Sequence, residues 1–209
     1  VIEMQKLDLQ YRALLKGEFS LKELNFLFFF QVNCPGCFLY GFPMVNQLYE
    51  EFHPNISFLG ISTAFEDFEW NNEVNTRLLL ERQEVVGETK KALQQQGLTS
   101  FPLPIPFPVA MDKKADASFD YQSAATRLCR AFPNFSIRSQ SEQDAMTKNA
   151  LNYLMAQESI SLTFTLNQLR GTPTFLVINK KFEILHHSFG HTPLLEMKKM
   201  LSDFVHQLG

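Results

Sequence analysis

The chain has 209 residues, of which 45% are hydrophobic and 20% charged, with a formal net charge of −3. That length fits one domain with room for an insertion and a sizeable core, and the mild negative charge argues against a nucleic-acid or anionic-membrane surface as partner. Three cysteines are too few for a disulfide scaffold, and with no run of about 18 apolar residues a membrane span is not expected.

The elements follow in chain order. Residues 7–24 read as a short amphipathic lead-in built on Leu7, Leu9, Tyr11, Leu14 and Leu15. It closes on a helical turn, with Ser20 as N-cap and Glu23 at the reciprocal capping-box position. Residues 25–31 form the first strand, apolar on both faces and therefore central. Cys34-Pro35-Gly36-Cys37 comes next, ahead of a helix over Phe38 to Phe52. Pro43 should kink that helix, and His53-Pro54-Asn55 closes it. Ile56 to Ser62 is a second strand, and the strand–helix–strand order predicts a right-handed parallel crossover.

Residues 64–97 are polar and helical in pattern. Val74, Leu78, Leu79, Val85, Val86 and Leu93 supply the apolar stripe, and Gly97 ends the helix. Phe101 to Pro108 has proline at every second position, so it is extended and cannot be a central strand. Val109-Ala110-Met111 is a short strand ending at Asp112. Residues 113–165 form a mostly helical insertion within a single domain spanning 1–209. Its helices cover Ser123 to Phe132 and Ser141 to Gln157, with a turn at Pro133-Asn134. Thr172-Pro173-Thr174 leads into the apolar strand Phe175-Leu176-Val177-Ile178. Asn179-Lys180-Lys181 turns the chain into a hairpin partner, Phe182 to His186, and Gly190 breaks that strand. Thr192 as N-cap and Pro193 at the first helical position open a final helix. Met197, Leu201, Phe204, Val205 and Leu208 form its core-facing stripe.

The Cys-x-x-Cys carries the chemistry. A helix N-terminus has unpaired N–H groups and partial positive charge. A thiol placed there ionises more readily, and the thiolate is the nucleophile. Half of a zinc site is the first alternative, but zinc normally takes four ligands. Cys129 stands alone between Arg127 and Arg130, and the five histidines at 53, 186, 187, 191 and 206 give no matching half-site. A structural disulfide is the second, yet closing a two-residue loop stabilises a fold little by chain entropy. Cys129 reads first as a small buried apolar residue and second as a thiol activated by its two arginines. His186, His187 and His191 read as solvated strand-edge residues, with metal ligation as the lesser reading. Trp70, Phe38, Tyr40 and Phe42 divide evenly between core and an apolar patch near the thiols.

The order strand, Cys-x-x-Cys helix, strand, helix, strand, insertion, Thr-Pro, hairpin, helix resembles the thioredoxin superfamily over most of the chain. Its redoxin/TlpA-like branch is the nearest, and within it a group of bacterial redoxin-domain proteins with a Cys-Pro-Gly-Cys site. The matching pieces are Phe30-Gln31-Val32-Asn33-Cys34-Pro35-Gly36-Cys37, then Gly41-Phe42-Pro43, Phe107-Pro108-Val109 leading to Asp112, Gly171-Thr172-Pro173-Thr174, and Phe189-Gly190-His191. The resemblance implies an α/β thioredoxin-like fold, a central mixed sheet flanked by helices. It also implies a cis Thr172-Pro173 bond facing the dithiol, with the Thr172 backbone left open to pair with an extended substrate strand. Three departures stand out. Asn33 replaces the tryptophan common before the first cysteine, Phe28 replaces the buried acid, and Phe38-Leu39-Tyr40-Gly41 carries no glutamate. A water, Glu66, Asp67 or an insertion residue is left to accept the proton of Cys37.

The function this implies is thiol–disulfide exchange by Cys34 and Cys37, with Pro35, Gly36, Thr172 and Pro173 contacting substrate. No cofactor beyond a redox-active Cys34–Cys37 disulfide is expected, and no metal. Partners would be protein or small-molecule disulfides and thiols, plus a thiol electron donor. Two further readings are a thiol peroxidase and a redox-sensing binding module. The peroxidase reading is weakened because Cys34 occupies the position where that pattern needs threonine. No signal-peptide pattern opens the chain, so a cytoplasmic location is expected, or a periplasmic one if an export signal has been removed.

Overall fold

The structure, a computed structural model, describes residues 4–209. Among these residues six strands build one mixed sheet: β1 (Tyr11–Lys16), β2 (Leu24–Phe30), β3 (Ser57–Ser62), β4 (Val109–Asp112), β5 (Thr174–Asn179) and β6 (Ile184–Phe189), in the spatial order β1-β4-β3-β2-β5-β6. The helices are α1 (Phe42–Phe52), α2 (Glu73–Arg82), α3 (Gly87–Gln95), α4 (Tyr121–Arg130), α5 (Gln140–Ala156), the short α6 (Leu162–Leu166) and α7 (Leu194–Leu208). No helix among them is long and apolar enough to cross a membrane.

The aromatic run dictates the middle of the sheet. β2 pairs in parallel with β3 on one side and antiparallel with β5 on the other, and every one of its residues is buried. Its side chains alternate between two cores, as the period of a strand requires. Phe26, Phe28 and Phe30 point to a layer completed by Phe42, Phe175, Val177, Met197 and Leu201, which brings α1 and α7 onto that face. Leu27 and Phe29 point the other way, toward Ile61, Ala110, Phe164, Leu169, Leu176 and Leu7. Burying one such phenylalanine contributes roughly 1.5–3 kcal/mol, so this strand anchors the molecule.

The lead-in departs from expectation. Tyr11–Lys16 is an edge strand antiparallel to β4, with register shifts between Tyr11 and Ala13 and between Leu14 and Lys16. The Ser20 capping box does not form. Asn25 closes this stretch instead, accepting from Lys22 N–H at 2.8 Å and donating back to Lys22 O at 2.8 Å, while Glu23 pairs with Lys180 at 3.3 Å. Residues 64–97 are two helices rather than one. Asn72 caps α2, its side chain accepting from Asn75 N–H at 3.0 Å. Gln83 at φ 57° ends α2, and Gly87 at φ 52° opens α3. Leu79, Val85 and Leu93 of the expected stripe are buried, whereas Val74 is 69% exposed.

The first helix is irregular where Pro43 enters it. Cys37–Gly41 is a single π turn, in which Phe42 N–H reaches back to Cys37 O. Pro43 has no N–H to offer Leu39 O, so the widened turn takes the place of a sharp kink. At the other end of the chain, Pro193 rather than Thr192 is the N-cap of α7. Its ψ of 129° keeps it outside the helix, and Thr192 Oγ1 donates instead to Gly190 O at 3.4 Å. In that helix Met197 and Leu201 are buried while Leu208 is 51% exposed. The hairpin strand runs to Phe189, three residues further than the sequence suggested.

Between β4 and β5 lies the helical insertion. Its ends meet where Ala115 N–H donates to Ile160 O and Leu162 N–H to Lys113 O, both at 2.8 Å. Its helices carry a small core of their own from Ala124, Ala125, Leu128, Leu154, Ile160 and Leu162. Asp112, buried at the end of β4, ties this base to the sheet. It accepts from Thr163 N–H at 2.9 Å, Phe164 N–H at 3.1 Å and Thr63 Oγ1 at 2.9 Å. Burial pushes its pKa up, against the pull of those donors.

Candidate active site

β2 ends at Phe30, and the chain turns through Gln31, Val32 and Asn33 to deliver Cys34 to the head of the first helix. Pro35 and Gly36 are already helical, and proline suits the first helical position because its missing N–H would have no partner there. Cys37 N–H donates to Cys34 O at 3.0 Å, closing the loop between the cysteines. Both thiols are free; Cys34 is half-buried and Cys37 fully buried.

The two sulfurs share one proton's worth of chemistry. Cys37 Sγ donates to Cys34 Sγ. That hydrogen bond is the largest influence on Cys34 and brings its pKa from 9.0 down to about 7, with the Thr172 side chain and the Cys37 backbone N–H helping and burial and Glu66 opposing. Cys37 moves the other way, raised well above 9.0 chiefly by burial and then by its donation to Cys34. One accessible, acidic thiol therefore sits against one inaccessible thiol that holds its proton.

The Thr172-Pro173 peptide is cis. Thr172 O lies 3.6 Å from Cys34 Sγ, within reach of that thiol when it is protonated. The first helix runs beside this loop, and glycine at position 41 lets it sit directly on the Phe28 ring. A Cβ on Gly41 would meet Phe28 Cζ at 2.9 Å and Pro173 Cβ at 3.5 Å, and one on Gly36 would meet Pro173 Cδ at 3.9 Å. Phe28, where the resembled family has an acid, is a wholly buried ring beneath the helix, packed edge-on to Phe42. Cys34, Cys37, Gly36, Thr172 and Pro173 thus come together, with Pro35 alongside in the helix's first turn.

Other expected neighbours sort differently. Phe38 and Phe42 are core. Tyr40 is 55% exposed and packs edge-on against His191, with ring centroids 4.9 Å apart. Cys129 is buried in α4. No group of three or more His, Cys, Asp or Glu side chains among the described residues is placed to hold a metal. Asp67, a candidate acceptor for the Cys37 proton, takes a hydrogen bond from Asn33 Nδ2 at 2.9 Å.

The polar frame behind Cys34 is what motif reading misses. Thr89, fully buried, accepts from Cys34 N–H at 2.9 Å and donates to Val32 O at 2.7 Å. Asn33, in the usual tryptophan position, ties three segments: its N–H donates to Asn71 Oδ1 at 2.8 Å, its Nδ2 to Asp67, and its Oδ1 accepts from Glu88 N–H at 2.7 Å. A Cβ on Gly87 would come within 2.2 Å of Asn33 Oδ1, so that position must be glycine for α3 to dock here. Gln31 Oε1 accepts from Phe65 N–H at 3.0 Å and holds the loop after β3. The one signal for Thr89 is a small hydroxyl residue in a helix whose buried positions otherwise call for apolar side chains.

No protein-family model matches the sequence, and no curated protein matches it. Among solved structures, the fold is similar to a thiol-disulfide isomerase from Corynebacterium glutamicum, at TM-score 0.60 and 16% identity over 98% of each chain. A thioredoxin-like superfamily protein aligns at TM-score 0.57 and 18% identity over 97% of each. A thioredoxin-like protein in its oxidized form aligns at TM-score 0.50 and 10% identity, over 98% of this chain and 96% of that one. At these identities the likeness speaks for architecture alone, and the architecture, a mixed sheet flanked by helices and carrying a helical insertion, is thioredoxin-like.

Proposed function

We propose that the protein is a thiol–disulfide oxidoreductase of redoxin/TlpA-like type, with Cys34 as nucleophile and Cys37 as resolving thiol. The observation that carries this is the asymmetry of the pair: Cys34 is partly accessible with a pKa of about 7, and Cys37 is buried with its pKa raised. A thiol whose pKa is near ambient pH is the best attacking group for exchange. The fold is one that a thiol-disulfide isomerase from Corynebacterium glutamicum also uses.

The Cys34 thiolate attacks one sulfur of a substrate disulfide. A mixed disulfide forms, and the other substrate sulfur leaves as thiolate. Loss of the Cys34 anion removes the acceptor of the Cys37 hydrogen bond, and the Cys37 proton passes to the departing thiolate. Cys37 then attacks Cys34 Sγ, expelling the second substrate sulfur, which takes its proton from water. Two electrons move from the dithiol to the substrate, leaving a Cys34–Cys37 disulfide for a thiol donor to reduce. The open backbone at Thr172 and the ring of Pro173 would hold the substrate strand across the sulfurs, with Pro35 and Gly36 bordering it.

The test is an equilibrium titration in a dithiothreitol or glutathione series, read by alkylation and intact mass. The expected result is a reversible two-electron transition that Cys34→Ser abolishes and Cys129→Ser leaves intact. A potential near about −270 mV would mark a reductant and one near about −120 mV an oxidant. Thiols that stay unreactive in the folded protein would overturn the proposal.

A further inference from the structure

The insertion does more than cover the sheet. Between its helices α4 and α5 and the segment from Phe164 to Arg170 lies a cleft of about 560 Å³, well within the size of small-molecule sites. Its inner wall is apolar and buried, from Cys129, Phe164 and Leu169. Two aromatic side chains stand at its mouth, Phe132 at 51% and Tyr153 at 60% exposure. Exposed aromatics bordering a concave apolar surface are what a ligand site presents before it is filled.

Charge narrows the ligand. No aspartate or glutamate lines the cleft, and Arg170 is its one charged lining residue. Arg170 has no carboxylate within ion-pair distance among the described residues. A guanidinium without an acid beside an apolar hollow complements a carboxylate on an apolar body. We infer that this cleft binds a small amphipathic anion, an aliphatic or aromatic monocarboxylate whose apolar part enters between the α4–α5 pair and the Phe164–Arg170 segment while its carboxylate pairs with Arg170. The site shares no lining residue with the dithiol, and the inference goes beyond the exchange activity.

Isothermal titration calorimetry on the full chain tests it, using dodecanoate and dodecyltrimethylammonium, both as monomers. One dodecanoate per chain is expected, with the cationic probe at least about tenfold weaker, the ratio that one charge-assisted contact supplies. Arg170→Glu lies at an exposed position and should invert the preference. Ala150→Phe fills the cleft and should remove binding of both probes while circular dichroism stays native. Cys34→Ala should bind dodecanoate as the parent does, which separates this result from the fate of the redox proposal. Equal affinity for the two probes, dodecanoate binding that survives Ala150→Phe, or no saturable binding would each overturn the inference. So would tight binding of an acidic, aromatic peptide in dodecanoate's place, which would make the cleft a polypeptide groove.

Discussion

Replacing Thr89 by valine removes one oxygen and little else, which makes it a sharp probe of the frame behind Cys34. Valine keeps the shape of threonine, so no cavity opens. What is lost are two hydrogen bonds, Cys34 N–H to Thr89 Oγ1 at 2.9 Å and Thr89 Oγ1 to Val32 O at 2.7 Å. The Val32 contact is buried, and an orphaned buried acceptor costs about 1–3 kcal/mol. The Cys34 N–H is partly open to water, which limits its share to roughly 1 kcal/mol. Thr89→Val should therefore destabilise the reduced protein by about 2–4 kcal/mol, read from urea unfolding followed by circular dichroism. Thr89→Ser keeps the hydroxyl and should lose no more than about 1 kcal/mol, for the missing methyl. Since the Cys34 backbone is then free to shift, alkylation of Cys34 at pH 7 should change in Thr89→Val and not in Thr89→Ser. If the valine variant unfolds within about 0.5 kcal/mol of the parent, Thr89 does not hold the cysteine loop and the reasoning fails.

The alkylation rate of Cys34 should follow its thiolate, rising with pH to half its maximum near 7. Cys37→Ala deletes the main cause of that low value, so the midpoint should climb toward 9.0, and a midpoint that stays put would show that Cys37 is not the cause. The same shift has a stability signature: with its folded pKa below 9.0, Cys34 stabilises the reduced protein fully above pH 9 and loses that contribution as pH falls through about 7. Asp112→Ala strips the acceptor from Thr63 Oγ1, Thr163 N–H and Phe164 N–H. The relief of carboxylate burial offsets part of this, leaving a net loss of about 2–4 kcal/mol. Hydrogen exchange at Thr163 and Phe164 should accelerate beyond the change in global stability; protection that falls only in step with it would refute a local tie.

What could be read from the sequence was set by how local the deciding interactions are. β2 announced itself because both of its faces are buried, so that Phe26 to Phe30 form one apolar run. The Cys34–Cys37 loop and the hairpin turn at Asn179 are written in neighbouring residues: Asn179 Oδ1 accepts from Lys181 N–H at 2.9 Å and Glu183 N–H at 3.0 Å. β1 was hidden because its two register shifts against β4 break the alternation that marks a strand. The break between α2 and α3 rests on Gln83 and Gly87 in left-handed backbone, and glutamine gives no hint of that conformation. Thr89 and Asn33 act on partners brought from up to 57 residues away in the chain, a distance over which spacing carries no signal.

The position of β2 also sets a timetable for synthesis. Its parallel neighbour, β3, follows within one helix, but its antiparallel neighbour, β5, begins only at Thr174. A ribosome adding about 5–20 residues per second needs roughly 8–30 s to cover that interval. Throughout it, the most apolar strand of the protein has one open edge, and an open apolar edge is a template for the wrong partner. The insertion lengthens the wait, since its helices lie between the two strands. The newborn chain is thus most exposed to aggregation before its last sixth emerges, and truncations upstream of Thr174 should be far less soluble than the whole.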